Sequence, residues 1–161
     1  MAKLKFKLVQ EADMTIAQLR QMYAMIEEGE ELEHPIINLD DAACWVTDEK
    51  TRLVVALHEG DVVGYICFSD CLETETADVL LNTVEVLPDY RGTGLGRRLV
   101  RTCLTYADKK GVPVSLLYSL ANDAQYGLRA FYESEGFKLV AMVPHTYDFG
   151  VFMCYMKRME K

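Results

Sequence analysis

The residues best suited to chemistry lie in one stretch, residues 84–99, where an apolar strand is followed by a glycine-rich turn and then by a helix. Pro88 ends the strand, since proline cannot donate a ladder hydrogen bond. The turn is rich in arginine and glycine, at Arg91, Gly92, Gly94, Gly96, Arg97 and Arg98. Glycine lets a backbone approach a ligand closely, and the first amides of a helix lie unpaired at the positive end of its dipole. The stretch therefore predicts a binding site for a polyanion such as a pyrophosphate.

The spacing of these residues narrows the class of polyanion. A nucleoside triphosphatase loop requires Gly-Lys-Ser/Thr, and Gly96 is followed by Arg97. The dinucleotide fingerprint requires Gly-x-Gly-x-x-Gly, whereas the glycines here occupy alternate positions. What remains is Arg-x-x-Gly-x-Gly, formed by Arg91, Gly94 and Gly96 after a strand that ends in Val-x-Pro. This pattern resembles the coenzyme A motif of the GNAT superfamily of N-acetyltransferases.

A second pattern follows at residues 128–137. Leu128, Phe131 and Tyr132 share one face of a helix, and Gly136 is suited to end it. The segment is similar to the Phe-Tyr-x-x-x-Gly-Phe signature of GNAT enzymes. The resemblance implies that Tyr132 lies beside the thioester sulfur and protonates the departing thiolate. A tyrosine on an apolar helix face also fits a purely structural role, and the presence of both motifs favours the catalytic one.

The composition limits the function further. At 161 residues, the chain is long enough for one substantial core, so we expect a single domain over residues 1–161. No apolar run reaches membrane-spanning length and the first residues lack a signal-peptide pattern, which predicts a cytoplasmic protein with no membrane association. The net charge of −8 argues against non-specific binding to nucleic acid. A homodimer is left open.

The five cysteines indicate neither a disulfide framework nor a metal site. Their number is odd and none forms a Cys-x-x-Cys pair, so they are expected to be free thiols in the core. Cys67 and Cys71 are too openly spaced for zinc in a chain with three histidines. We therefore expect no metal.

The apolar periodicity predicts the elements that position both motifs. Strands are expected at residues 5–10, 53–58, 62–68, 77–87, 114–120, 138–143 and 151–156. A Thr15-x-x-Gln18 capping box opens a first helix with helical spacing to Ile26, and a loop or second helix follows at residues 27–45. Later helices begin at Leu95 and contain Tyr132. This order resembles the GNAT fold, which implies a mixed α/β architecture, a central sheet of about seven strands and helices on both faces.

The resemblance also implies acetyl-CoA as cosubstrate and assigns residues to it. Two parallel strands, residues 82–87 and 114–120, would splay apart, with main-chain groups of Val84, Glu85 and Val86 holding pantetheine. The pyrophosphate would be held by the loop residues Arg91, Gly92, Thr93, Gly94, Leu95, Gly96 and Arg97. Where the family has an asparagine seven residues before the tyrosine, this chain has Gln125, with Asn122 three residues earlier. Either amide is expected to contact the coenzyme.

The general base is the least defined part of the expected site. Inward positions counted back from Val86 along the strand are Val84, Asn82, Leu80 and Asp78, of which Asp78 alone can accept a proton. Glu85 has the opposite parity and is expected to point away unless the strand carries a bulge. We therefore expect either Asp78 or an ordered water, held by Asn82 or backbone carbonyls, to act as the base.

The acceptor is expected to be an amine, and an acidic run suggests that it is cationic. In this fold the acceptor pocket is built by the first two helices and the final hairpin, which here contribute Glu30, Glu31 and Tyr147. The carboxylates of residues 27–33 would attract a polyamine, an aminoglycoside, a lysine or a protein N-terminus, although a solvated acidic turn has the same composition. A non-catalytic acyl-CoA sensor and a transferase for longer acyl chains remain alternatives to N-acetyl transfer.

Overall fold

The computed structural model describes residues 5–10, 13–31, 50–71, 78–144 and 150–159. They form seven strands: β1 Lys7–Gln10, β2 Thr51–His58, β3 Asp61–Cys71, β4 Asp78–Val86, β5 Val114–Ser119, β6 Lys138–Pro144 and β7 Phe152–Arg158. They also form four α-helices: α1 Ile16–Glu31, α2 Leu95–Lys110, α3 Leu120–Tyr126 and α4 Leu128–Ser134. A short 3-10 helix, Pro88–Tyr90, separates β4 from α2.

The strands form one sheet in the order β1-β2-β3-β4-β5-β7-β6. The pairing of β4 with β5 is parallel, whereas β1–β2, β2–β3, β5–β7 and β6–β7 pair antiparallel. The predicted mixed α/β fold with seven strands is thereby confirmed. Contacts within the chain define two compact units, Met1–Ser69 with Thr83–Arg101 and Asp70–Asn82 with Thr102–Lys161. The single domain stays a prediction.

The first unit is built on α1 and the β2–β3 hairpin. Thr15 and Gln18 form the predicted capping box, in which each side chain accepts a hydrogen bond from the other residue's amide. Such a cap is worth about 1 kcal/mol. The hairpin turns at Glu59 and Gly60, both with positive φ, as a two-residue primed turn requires. Met22 and Met25 of α1 pack on the hairpin in an apolar cluster with Val9, Leu53, Val55, Leu57, Val62, Tyr65 and Cys67.

Helix α1 extends further than the sequence prediction. It continues to Glu31, so residues 27–31 are helical and do not form the expected loop. Glutamate is a good helix former, which explains the extension. Residues 32–49, which include the rest of the expected loop or second helix, lie outside the described residues.

The second unit contains β5, β7 and β6, with α3 and α4 between β5 and β6 along the chain. Helix α3 was not expected from the sequence. Ser119 caps it by accepting a hydrogen bond from the amide of Ala121, and Gly127 ends it in the left-handed conformation. The buried side chains of this unit include Val79, Leu81, Cys103, Ala107, Val114, Leu116, Tyr118, Tyr132, Phe137, Cys154 and Met156.

Within the described ranges, no helix is both long and apolar enough to cross a membrane. The same residues contain no cluster of three or more histidine, cysteine, aspartate or glutamate side chains that could hold a metal ion.

Candidate functional site

The glycine-rich turn of the first unit has a fixed backbone. The amide of Tyr90 donates to Leu87 O at 2.9 Å, and the amide of Arg91 donates to Pro88 O at 3.1 Å. The hydroxyl of Thr93 donates to Tyr90 O at 2.6 Å. These bonds stabilise the loop directly before α2, which begins at Leu95.

Two glycines of this loop have backbone conformations that other residues rarely adopt. Gly92 has φ 73° and Gly94 has φ 86°. A Cβ added at either position would meet no atom within 4 Å, so the loop surface is open there. The amide of Arg98 donates to Gly94 O at 3.2 Å, which makes Gly94 the first acceptor of the helix. The amides of Leu95 and Gly96 therefore precede the intrahelical ladder and can bind an anion.

The arginines of the loop have different surroundings. The guanidinium of Arg91 folds back and donates through Nε to Val86 O at 3.0 Å. Arg98 donates through Nη2 to Phe6 O at 3.2 Å, and its guanidinium carbon lies 5.7 Å from the centre of the Phe6 ring. Arg97 is exposed in the first turn of α2. All three add positive charge at this end of the helix.

An aromatic cluster, Phe6, His58 and Tyr90, supports the loop and was missed by the sequence analysis. The ring of Tyr90 lies 6.1 Å from that of Phe6 and 5.6 Å from that of His58. The Phe6 and His58 rings are 5.8 Å apart, and Nδ1 of His58 lies 3.0 Å from Lys5 O. Phe6 thus contacts both the loop, through Tyr90, and the first turn of α2, through Arg98.

The end of β4 runs close to β3 within the first unit. The amide of Leu87 donates to Val63 O at 3.0 Å. A Cβ on Gly64 would lie 2.8 Å from Glu85 O, so only glycine fits at position 64. The carboxylate of Glu85 accepts a hydrogen bond from the Tyr65 hydroxyl at 3.2 Å. Val84 and Val86 are half-buried.

At the start of β4, the side chains that were expected to face inward are less buried than the side chains that alternate with them. Val79 and Leu81 are buried, whereas Leu80 is half-buried and Asn82 is exposed. Asp78 Oδ2 accepts hydrogen bonds from Ser115 Oγ at 2.7 Å and from Lys157 Nζ at 2.9 Å. This ion pair holds Oδ2 of Asp78 in the second unit, whereas Oδ1 is buried and has no hydrogen-bond partner among the described residues.

Tyr132 lies in an apolar cluster of the second unit and is 5% exposed. Its ring packs edge-on against Phe131 at 5.1 Å and Phe137 at 5.5 Å. Burial, with a smaller contribution from Cys103, raises the pKa of Tyr132 to about 12. Its phenol is therefore protonated at neutral pH and can donate a proton. Gly136, with φ 91°, follows the end of α4 as expected.

The remaining expected site residues have less structural detail. Asn122 lies on α3 and is half-buried. Gln125 lies on the same helix, and Glu30 and Glu31 end α1, but the side chains of these three are outside the described part of the structure. Tyr147 lies outside the described residues altogether.

Comparison with known proteins gives a consistent family match. The family model described as "Acetyltransferase (GNAT) family" matches residues 16–137. The chain is 37% identical over 83 residues to the N-alpha-acetyltransferase RimI of Mycobacterium tuberculosis, a match that covers 52% of this chain. It spans only 49% of the length of that relative.

Solved structures share the fold at low sequence identity. The ribosomal-protein-S18-alanine N-acetyltransferase of Escherichia coli superposes with a TM-score of 0.75 at 20% identity, covering 98% of this chain and 96% of that one. An aminoglycoside 6′-N-acetyltransferase complexed with coenzyme A superposes with a TM-score of 0.78 at 14% identity, covering 95% and 96%.

Proposed function

Because this chain belongs to the acetyltransferase (GNAT) family, we propose that it transfers an acetyl group from acetyl-CoA to the primary amine of a small molecule or peptide. The loop of residues 91–97 carries this proposal. Its open glycines and the first amides of α2 match the needs of a pyrophosphate. The neighbouring guanidinium groups would add charge-assisted contacts.

In the proposed reaction, the amine nitrogen attacks the thioester carbonyl carbon directly. A C–N bond forms, the C–S bond breaks, and the thiolate takes the proton of the Tyr132 hydroxyl. Main-chain groups of Val84, Glu85 and Val86 would bind the pantetheine arm, and backbone N–H groups would stabilise the oxyanion. Asn122 and Gln125 are the side-chain amides proposed to contact the coenzyme.

The amine must also lose a proton, and two routes are proposed. One is Asp78, whose ion pair with Lys157 argues instead for a structural role. The other is an ordered water held near Asn82 or backbone carbonyls. We favour the water, because Oδ2 of Asp78 already accepts hydrogen bonds from Ser115 and Lys157.

The acceptor is proposed to be a cationic amine. The carboxylate-rich segment that ends α1, with Glu30 and Glu31, supports this proposal. Tyr147 stays a proposed contact of the acceptor. Two similar proteins have names that refer to a ribosomal-protein alanine and to an aminoglycoside, so peptide N-termini and aminoglycosides are the first amines to test. Cytoplasmic location and a homodimer stay predictions.

Thiol release from acetyl-CoA across a panel of amines tests the function. We expect coenzyme A to appear only when an active amine is present, together with an acetylated product of matching mass. Thermal stabilisation by acetyl-CoA without thiol release for any amine would support the non-catalytic sensor. Absence of both would contradict the proposed function.

A further inference from the structure

An arginine of the glycine loop covers a main-chain oxygen at the end of β4. Arg91 Nε donates a hydrogen bond to Val86 O at 3.0 Å. Val86 belongs to the strand end that the proposed function assigns to pantetheine, and Arg91 begins the loop assigned to the pyrophosphate. One side chain therefore belongs to one proposed binding region of the coenzyme and contacts the other.

The surrounding hydrogen bonds show which way Val86 O points. The amide of Leu87 donates to Val63 O of β3 at 3.0 Å, and the Val86–Leu87 peptide bond is trans. The C=O and N–H of a trans peptide point in opposite directions, so Val86 O points away from β3. Glu85 O lies on the β3 side, because a Cβ on Gly64 would be 2.8 Å from it. The amide of Val86 therefore also points away from β3.

The edge of β4 opposite β3 thus presents both main-chain groups of Val86, as the pairing of an added strand requires. The ladder between β4 and β5 runs from Val79 to Leu81, so Val86 lies beyond it. An extended arm with amide groups, such as pantetheine, would bond to this edge as a strand does. It would have to approach Val86 O from the side on which the Arg91 guanidinium lies.

A pyrophosphate bound in the loop would compete for that guanidinium. Arg91 is exposed, so its side chain can turn towards the loop without disturbing the core. A guanidinium forms charge-assisted, often bidentate hydrogen bonds with phosphate oxygens, and these are about twice as strong as a bond between neutral groups. The phosphate is therefore the better acceptor, and binding it would uncover Val86 O.

We propose that Arg91 couples the two halves of the coenzyme, so that the protein selects thioesters of coenzyme A over thioesters of pantetheine alone. This inference rests on the proposed use of acetyl-CoA. Binding of the pyrophosphate moves the Arg91 guanidinium from Val86 O to the phosphate oxygens. The uncovered carbonyl then accepts a hydrogen bond from the pantetheine arm. Because such coupling is reciprocal, each half of the coenzyme raises the affinity for the other.

Calorimetric titration with the two halves as separate molecules, acetyl-pantetheine and ADP, tests the proposal. In the parent, saturating ADP should lower the Kd of acetyl-pantetheine about fivefold. Without ADP, Arg91→Ala should bind acetyl-pantetheine about fivefold more tightly than the parent, because no side chain covers Val86 O. Acetyl-pantetheine is uncharged, so losing the charge of Arg91 does not by itself raise this affinity.

Arg97→Ala is the matched control, since it removes an exposed guanidinium from the first turn of α2. It should leave the Kd of acetyl-pantetheine at the parental value. The proposal is overturned if Arg91→Ala binds acetyl-pantetheine no more tightly than the parent, including no detectable binding by either protein. An equal gain in Arg97→Ala, or no effect of ADP on the parent, would also overturn it. A parent that acetyl-CoA does not stabilise, and that releases no thiol with any amine, would instead overturn the proposed function and this inference with it.

Discussion

Burial keeps the Tyr132 side chain protonated over a wider pH range than that of a free tyrosine. A phenol with a pKa of about 12 stays protonated well above the pH at which a free tyrosine ionises. We therefore predict that kcat does not decline between pH 8 and about pH 10, because loss of the donor proton begins only at higher pH. A decline centred below pH 9 in a pH-rate profile would identify a different proton donor.

Replacing Tyr132 with phenylalanine tests the same hydroxyl directly. The ring contacts with Phe131 and Phe137 survive, so stability and coenzyme affinity should change little. Turnover should fall about 10²-fold, as expected for a lost general acid. Steady-state kinetics and calorimetric binding of acetyl-CoA measure the two effects. If Tyr132→Phe turns over as fast as the parent, Tyr132 has only a packing role.

Asp78 should behave differently, because its carboxylate is engaged by Lys157 and Ser115. The Asp78 side chain is 12% exposed and that of Lys157 is 22% exposed, so Asp78→Asn leaves a largely buried ammonium without its partner. We expect the free energy of unfolding, measured in denaturant, to fall by about 1–3 kcal/mol. The pH profile of kcat should stay unchanged. Loss of the acidic limb of that profile with parental stability would establish Asp78 as the general base.

At the scale of the elements, the loop before α2 should bind acetyl-CoA and stabilise the protein. Gly94→Asp introduces a side chain and a negative charge at an open loop position with φ 86°. We expect acetyl-CoA at about 100 times Kd to stabilise the parent by roughly 2.7 kcal/mol and this variant not at all. Thermal denaturation with and without acetyl-CoA measures the difference.

Gly60→Asp is the control for backbone strain at Gly94. Gly60 also has a positive φ and no atom within 4 Å of an added Cβ, but it lies in the β2–β3 hairpin turn. Both variants should lose some stability without ligand. Gly60→Asp should still be stabilised by acetyl-CoA to the same extent as the parent. Equal stabilisation of the two variants by acetyl-CoA would rule out the loop as the pyrophosphate site.

The elements that sequence reasoning predicted well are those defined by neighbouring residues. The capping box of Thr15 and Gln18, the two strands expected at residues 53–58 and 62–68, and the stop at Gly136 each depend on a few adjacent positions. Helix α3 was missed because seven residues carry too little periodicity to separate a helix from the preceding strand. The extension of α1 was missed because an acidic run fits both a helix and a loop.

At the scale of the whole molecule, the site residues depend on contacts that no local pattern contains. Arg98 and Phe6 are 92 positions apart, Asp78 and Lys157 are 79 apart, and Tyr65 and Glu85 are 20 apart. Motif spacing could predict that the loop exists and which residues it contains. Which side chains its arginines and Asp78 contact depends on tertiary packing, which spacing does not encode.

The charge of the molecule leads to a prediction about the acceptor. If the acidic run of residues 27–33 draws in a cationic amine, added salt should lower the rate at low amine concentration. The triple variant Glu30→Gln, Glu31→Gln and Glu33→Gln should raise KM for a cationic amine and leave KM for acetyl-CoA unchanged. Initial rates at two salt concentrations measure both effects.

A variant with the same change in net charge elsewhere is the control. Asp13→Asn, Glu59→Gln and Glu133→Gln remove three exposed charges outside the acidic run. This variant should retain the parental KM and salt dependence. If the two triple variants behave alike, the effect comes from net charge and the run does not attract the acceptor.

If the glycine loop binds the coenzyme as proposed, the contact of Phe6 with Arg98 and Tyr90 couples proteolysis of the chain to coenzyme binding. Phe6 lies between Lys5 and Lys7, so trypsin can cut on either side of it once this segment detaches locally. Detachment breaks the contacts that support the glycine loop. A coenzyme that binds the supported loop must therefore protect these peptide bonds, and removal of the segment must weaken coenzyme binding in turn. The rate of tryptic clipping at one end of β1 would thus report the occupancy of a loop far along the chain.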